Sequence, residues 1–159
     1  MSHHDPIEVL VVDDHDGFRA AASMVIDATE GFVLAGTAAS GEDALAFLAD
    51  HDVALVLVDL HLGGADGVTT ARLYGEAGGQ GVVVLMSTTA VEDLPPGIEQ
   101  SGISAFIAKD DFSTVALGEL WHDAGHEARG GAADEGNGAG TDRGRGQQPG
   151  AVTRFRCGP

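Results

Sequence analysis

The sequence predicts an α/β domain built on a doubly wound parallel sheet. Five short runs rich in β-branched residues alternate with five segments whose apolar residues recur at helical spacing. Several runs are apolar without interruption, which is typical of parallel strands covered by helices on both faces. Strand followed by helix, repeated five times, favours a doubly wound sheet. The predicted strands are residues 7–12, 32–38, 54–58, 82–86 and 104–108.

The predicted helices follow these strands. Ser40, with Asp43 three residues later, resembles a capping box before the second helix, and Ser113 is a candidate cap for the last. A further helix is expected within 92–101, where Pro95 and Pro96 should make it start late or remain short. The other four are predicted at 18–28, 44–49, 69–74 and 114–122.

Composition and charge narrow the class of protein. Of the 159 residues, 43% are hydrophobic, which is enough for a core. The chain has neither a bilayer-length apolar run nor a signal-peptide pattern, and its single cysteine, Cys157, excludes an internal disulfide. We therefore expect a soluble, cytoplasmic protein without membrane contact. Residues 1–124 hold 21 of the 25 acidic residues but only three of the eight cations, so direct nucleic acid binding is not expected.

The composition changes near residue 124. Residues 125–159 contain ten of the 24 glycines, five arginines and few large apolar residues. Such a segment cannot bury enough apolar surface to fold, so we expect disorder there. The predicted organisation is one domain at 5–124 and a glycine-rich tail at 125–159.

Polar residues follow four of the predicted strands. Because ligand sites of parallel sheets form beyond the carboxyl ends of the strands, these residues should converge. Asp13 and Asp14 follow the first strand and Asp59 the third, while Ser87, with Thr88 and Thr89 behind it, follows the fourth. Lys109, the chain's only lysine, follows the fifth.

Each residue type has a use in phosphoryl chemistry. Mg²⁺ prefers oxygen ligands and commonly takes one or two carboxylates, and a carboxylate can accept a phosphoryl group as a nucleophile. A lysine and a hydroxyl stabilise the charge of the transferring group. Other interpretations stay open from the residues alone: the acidic pair as a solvated turn, Thr88 in place of Ser87, Phe106 as plain core and His61 as an exposed side chain.

Taken together, these strand-end residues resemble those of the receiver domain of two-component response regulators, and the resemblance covers residues 5–124. The resemblance is carried by VVDDHDG, LVLVDLHLGGADG, VVLMST and GISAFIAKDD. The separations are 45 residues from Asp14 to Asp59, 28 to Ser87 and 22 to Lys109, most similar to the subfamily that usually carries a DNA-binding helix-turn-helix. The resemblance implies a flavodoxin-like five-stranded parallel sheet of order 2-1-3-4-5.

The resemblance also implies a role for each matched position. Asp59 would be the phosphoacceptor. Asp14 and Asp59 would bind Mg²⁺ directly together with the backbone carbonyl of His61, and Asp13 would bind it through water. Ser87 and Lys109 would contact the phosphoryl group, Phe106 would be the aromatic switch that follows Ser87, and His61 and Thr89 would tune dephosphorylation. Asp16 is expected only to favour the start of the first helix.

Four features depart from the family pattern. Gly63 replaces a usual proline, Asp110 replaces the proline that often follows the lysine, and Pro95-Pro96 interrupts the fourth helix. No output domain is expected after residue 124.

The function predicted from the sequence is a stand-alone receiver that takes a phosphoryl group from a sensor histidine kinase or phosphotransfer protein and signals to an unknown downstream protein. We expect no enzyme activity beyond self-phosphorylation and slow autodephosphorylation. The alternative is a phosphorylation-independent interaction module. An aspartate-nucleophile phosphatase is disfavoured because the Asp-x-Asp motif of that family is absent in the required context.

Overall fold

A computed structural model describes residues 6–62, 66–88, 98–128 and 152–154. The strands are β1 (Ile7–Val12), β2 (Phe32–Ala38), β3 (Leu55–Asp59), β4 (Val82–Ser87), β5 (Ala105–Ala108) and β6 (Val152–Arg154). The helices are α1 (Asp16–Ala28), α2 (Gly41–Asp50), α3 (Gly67–Glu76) and α4 (Thr114–Ala128). Short 3-10 turns cover Ile98–Ser101 and Lys109–Asp111.

The sheet has the predicted parallel order β2-β1-β3-β4-β5. The chain leaves β1 toward β2 on one side and returns to β3 on the other, so the strand order reverses between β1 and β3. This is where ligand sites of doubly wound sheets form. The flavodoxin-like prediction is confirmed.

The C-terminal residues differ in part from the expected disorder. Helix α4 continues to Ala128, past the predicted domain end at 124, and β6 pairs antiparallel with β5. A free sheet edge presents unpaired N–H and C=O groups, so a short segment can pair there without a hydrophobic pattern of its own. The remainder of the predicted tail lies outside the described residues.

The sheet is buried on both faces. Val9 and Val11 of β1 belong to the core beneath α1 and α4, whereas Leu10 and Val12 belong to the core beneath α2 and α3. All four have no exposed surface. Alternate residues of a strand point to opposite faces, which explains why this strand is apolar throughout.

Side-chain caps set where the helices begin. Ser40 Oγ accepts a hydrogen bond from the Asp43 N–H at 3.0 Å, and Ser113 Oγ accepts one from the Ala116 N–H at 3.1 Å, which confirms both predicted caps. Helices α1, α2 and α3 begin two or three residues earlier than predicted. The helix predicted within 92–101 lies mostly outside the described residues, and its last part is the 3-10 turn Ile98–Ser101.

Gly67 allows α3 to begin against the end of β3. A Cβ at this position would lie 2.3 Å from the backbone oxygen of Asp59 and 3.0 Å from the Cα of Leu60. Real Cβ atoms do not approach backbone so closely, so a larger residue would push α3 away from the strand end. The glycine therefore keeps the backbone around Asp59 in place.

We predict that Gly67→Ala and Gly75→Ala change stability in opposite directions. A Cβ at Gly75, in the same helix, meets no atom within 4 Å. Gly75→Ala should raise the free energy of unfolding by about 0.5–1 kcal/mol through helix propensity, whereas Gly67→Ala should lower it by roughly 1–3 kcal/mol through overpacking. Urea unfolding measures both, and equal effects of the two substitutions would contradict the close approach at Gly67.

Candidate phosphoryl and metal site

Four strands deliver polar side chains to one edge of the sheet. Asp13 directly follows β1, and its N–H donates to the Ala38 carbonyl at 3.0 Å, so the turn stays attached to β2. Asp59 is the last residue of β3, and Ser87 is the last residue of β4. Lys109 begins the turn after β5, next to Ala108, which pairs with Ser87 in the sheet register. The predicted convergence is confirmed for these strand ends.

Lys109 lies between the two buried carboxylates. Its Nζ is 2.6 Å from Asp13 Oδ2 and 3.3 Å from Asp59 Oδ2. The side chain of Asp13 has no exposed surface, and that of Lys109 is only 10% exposed. One ammonium thus compensates two anions that are both removed from water, and one negative charge remains in excess.

The surroundings of Asp59 favour its protonated form. Burial, and after it the negative charge of Asp13, raise the pKa of Asp59 above its ordinary value of 3.8. Lys109 and the His61 N–H, which donates to Asp59 Oδ1 at 3.3 Å, act in the opposite direction without cancelling the increase. Without another cation, the ionised carboxylate is therefore destabilised.

An aromatic pair flanks the lysine. The Lys109 ammonium lies 4.7 Å from the centroid of the Phe18 ring, a cation–π distance. Phe18 in turn contacts Phe112, with ring centroids 6.3 Å apart. Phe18 belongs to α1, so this helix also helps to position the cation.

His15 lies against the acidic pair. Its Nδ1 is 2.9 Å from Asp13 Oδ1 and 3.1 Å from Asp14 Oδ1, and its backbone N–H donates to Asp13 Oδ1 at 2.8 Å. Asp14 itself is 38% exposed. The two neighbouring acids therefore occupy different environments, with Asp13 inside and Asp14 at the rim.

Arg19 fixes the loop that carries these acids. Its Nη1 donates to the backbone carbonyl of Asp13 at 2.6 Å, and its Nη2 donates to the carboxylate of Asp16. Asp16 is the first residue of α1, two residues before the predicted helix start at residue 18, and is 90% exposed. The arginine therefore joins the helix to the turn that follows β1.

The donor set fits a divalent cation. Asp13, Asp14, His15 and Asp59 each present a ligand atom, and these atoms all lie within 4.8 Å of one another. Asp13 Oδ2 is buried, and its ion-pair partner is the Lys109 ammonium at 2.6 Å. Mg²⁺ takes carboxylate oxygens of this kind.

The other predicted residues are placed as follows. Ser87 is fully buried whereas its rival Thr88 is exposed, so burial favours Ser87 as the hydroxyl of the strand-end layer. Phe106 is 3% exposed within the core beneath α2 and α3, which is compatible with both core and switch. The His61 side chain is exposed. Thr89, Gly63 and Pro95-Pro96 lie outside the described residues, and the predicted roles of all these residues stay predictions.

Three contacting residues were not singled out from the sequence. His15 directly follows the acidic pair, and Arg19 is one of only three cations in residues 1–124, so both positions carried a signal. Phe18 had none, because an aromatic residue near a helix start is commonly part of the core.

In the part of the chain that the structure describes, no helix is long and apolar enough to cross a bilayer.

Comparison with known proteins identifies a family model and curated proteins that are similar to this chain. The family model of the response regulator receiver domain matches residues 9–117. The response regulator UvrY of Escherichia coli (strain K12) is 27% identical over 103 residues, which are 65% of this chain and 47% of UvrY. The nitrate/nitrite response regulator protein NarL of the same strain is 26% identical over 110 residues, 69% of this chain and 51% of NarL. The chain thus spans about half the length of these curated relatives.

Solved structures with a similar fold are also found. The signal receiver domain of NarL from Mycobacterium tuberculosis aligns with a TM-score of 0.67 and 25% identity, covering 79% of this chain and 98% of that domain. A chain of the CheX-CheY-BeF3-Mg²⁺ complex from Borrelia burgdorferi aligns with a TM-score of 0.66 and 26% identity, covering 76% and 90%.

We predict that Asp59→Asn stabilises the metal-free protein at neutral pH. A raised carboxyl pKa means that the folded state binds the Asp59 proton more tightly than the unfolded state. The contribution of Asp59 is fully present below pH 3.8 and is lost as the pH rises through the folded-state pKa. The substitution should therefore raise the free energy of unfolding at pH 7 in chelator, and the gain should disappear toward pH 3.8. Urea unfolding across this pH range measures the effect, and the exposed Asp52→Asn is the control. The prediction would be contradicted if Asp59→Asn raised the free energy of unfolding at pH 7 no more than Asp52→Asn does.

We predict that Arg19→Gln destabilises the protein more than Arg72→Gln. Loss of the hydrogen bond to the buried Asp13 carbonyl should lower the free energy of unfolding by about 1–2 kcal/mol. Arg72 is exposed, so its substitution should change stability by less than about 0.5 kcal/mol. Thermal and urea unfolding give both values, and equal losses would mean that the Arg19 contact does not hold the loop.

Proposed function

Because this chain belongs to the response regulator receiver domain family of two-component systems, we propose that it accepts a phosphoryl group on Asp59. The observation that carries the proposal is the convergence of three side chains on one sheet edge. Asp59 lies at the end of β3, with the Lys109 ammonium 3.3 Å from its Oδ2 and Asp13 bound to the same ammonium. The proposed nucleophile, a cation and a carboxylate proposed to hold metal through water are thus adjacent.

The proposed donor is a phosphohistidine on a sensor histidine kinase or phosphotransfer protein. A carboxylate oxygen of Asp59 forms a bond to phosphorus while the phosphorus–nitrogen bond of the donor breaks. The electron pair of that bond remains on the imidazole nitrogen, which is then protonated. The product is a mixed anhydride, an aspartyl phosphate, and Asp59 acts as the nucleophile.

The aspartyl phosphate carries a charge of about -1.5 to -2 in place of the single charge of the Asp59 carboxylate, at a site that already holds excess negative charge. Lys109 lies close enough to the Asp59 carboxylate to pair with the new oxygens, and the Ser87 hydroxyl is the proposed donor to one of them. Asp14 and Asp59, the His61 carbonyl and, through water, Asp13 are the proposed holders of Mg²⁺. Held by these groups, Mg²⁺ would supply positive charge beside the phosphoryl oxygens.

Phosphorylation of Asp59 would also change which of two anionic groups attracts the Lys109 ammonium more strongly. In the unmodified protein its ammonium lies nearer to Asp13 than to Asp59. A phosphoryl group on Asp59 increases the charge on that side, which favours a shift of the ammonium and, through Ser87 and Phe106, of the β4–β5 surface. In this proposal the receiver signals through protein contacts and turns over no external substrate.

We predict that Asp59→Asn abolishes aspartyl-phosphate formation. The protein is incubated with Mg²⁺ and a small phosphoramidate donor, and the acyl phosphate is reduced with borohydride, which converts the labelled aspartate to homoserine. Mass spectrometry should then place homoserine at residue 59 in the wild type. The amide of asparagine cannot form this anhydride, so Asp59→Asn should give no homoserine signal at residue 59.

Asp52→Asn is the matched control, because it removes an exposed acid elsewhere on the surface and should label like the wild type. Homoserine at another position, or undiminished labelling of Asp59→Asn, would refute the assignment. A chain that binds Mg²⁺ but never becomes labelled would instead favour the phosphorylation-independent interaction module.

A further inference from the structure

Phe18 makes a third contact with the buried ammonium. Lys109 Nζ pairs with Asp13 Oδ2 at 2.6 Å and with Asp59 Oδ2 at 3.3 Å. The same nitrogen lies over the Phe18 ring, 4.7 Å from its centroid. Since the lysine side chain is only 10% exposed, the ring takes a place beside the ammonium that water would otherwise fill.

The same ring also contacts the turn that carries the lysine. Lys109 begins the 3-10 turn after β5, and the Phe112 N–H closes this turn by donating to the Lys109 carbonyl at 3.3 Å. The ring centroids of Phe18 and Phe112 are 6.3 Å apart, with the ring planes tilted by 49°. Phe18 therefore touches both the lysine side chain and the residue that closes the turn of the lysine.

The backbone of Phe18 is held by other contacts. Phe18 belongs to the first turn of α1, and the next residue, Arg19, donates to the backbone carbonyl of Asp13. The Phe18 side chain is half-buried against the core beneath α1 and α4. A lysine ammonium sits on a flexible four-carbon stem, so a ring on a fixed backbone limits where this ammonium can go.

We propose that Phe18 is a positioning residue for phosphoryl transfer, which acts through Lys109. The negative face of the ring attracts the ammonium and keeps it beside the two carboxylates, where it can pair with the incoming phosphoryl oxygens. The inference rests on the proposed function, since it concerns the lysine of that same site.

Lys109 is the only lysine of the chain, so nuclear magnetic resonance can observe its side chain alone. Full-length protein labelled with ¹³C at the lysine Cε should give one methylene signal, shifted upfield by the ring current of Phe18. Phe18→Leu should move this signal downfield, whereas Phe32→Leu should not. Phe32 is the matched control, because it is another half-buried phenylalanine of the same core and contacts Trp121, with ring centroids 6.5 Å apart.

The second measurement is the initial rate of Asp59 labelling by the small phosphoramidate donor in Mg²⁺. Phe18→Leu should lower this rate about tenfold, and Phe18→Tyr, which keeps the ring face, should stay within about twofold of the wild type. Pentafluorophenylalanine at position 18 keeps the shape of the ring but reverses its charge distribution, so it should slow labelling as Phe18→Leu does. A side chain that only filled space would give the same rate with either ring.

An unshifted lysine signal in the wild type would overturn the inference, and this measurement needs no variant to fold. Equal rates with phenylalanine and pentafluorophenylalanine at position 18 would overturn it too, as would equal losses in Phe18→Leu and Phe32→Leu. In these cases the wild type would still be labelled on Asp59, so the proposed function would survive. A wild type that never became labelled would refute the proposed function and, with it, the role of Phe18 in transfer.

Discussion

The ammonium group of Lys109, held between two buried carboxylates, is the contact on which the electrostatics of this site depends. It lies 2.6 Å from Asp13 and 3.3 Å from Asp59, with the Phe18 ring on another side. One positive charge faces two anions here, and burial, together with the negative charge of Asp13, raises the pKa of Asp59. The sheet imposes this imbalance, because parallel strands bring their carboxyl ends to the same edge whatever charges follow them.

The surrounding fold is arranged to keep that edge fixed. The turn after β1 is tied to β2 by the Asp13 N–H and to α1 by Arg19. On the other side, the Leu60 N–H donates to the Met86 carbonyl at 2.8 Å, so the backbone after Asp59 continues the ladder with β4. Packed layers beneath both faces resist distortion, since the central strands are almost fully buried. The backbone around Asp59 is therefore held in place by the sheet and by the layers packed on both faces.

Much of this could be predicted from the sequence, because strand order and strand ends follow from hydrophobic patterning. Uninterrupted apolar runs indicated buried parallel strands, and the residue after each run indicated the edge where Asp13, Asp59 and Lys109 meet. What could not be predicted was which neighbour of an acidic pair is buried, since Asp13 and Asp14 differ only by the direction of their side chains. Contacts of His15, Arg19 and Phe18 depend on the turn into α1, whose geometry leaves no periodic pattern. The pairing of Val152–Arg154 depends on a distant strand edge, which local propensity does not encode.

That pairing has a consequence for how copies of the molecule can associate. An exposed edge strand is a template on which another chain can add a strand, and long free edges promote aggregation. Here the outer side of β5 is occupied by β6, with Phe106 opposite Thr153 and Ile107 opposite Val152. Any partner that recruits this edge by strand addition must first displace three residues of the same chain. The chain's own C-terminal strand therefore acts as an intramolecular competitor, at an effective concentration no dissolved peptide easily matches.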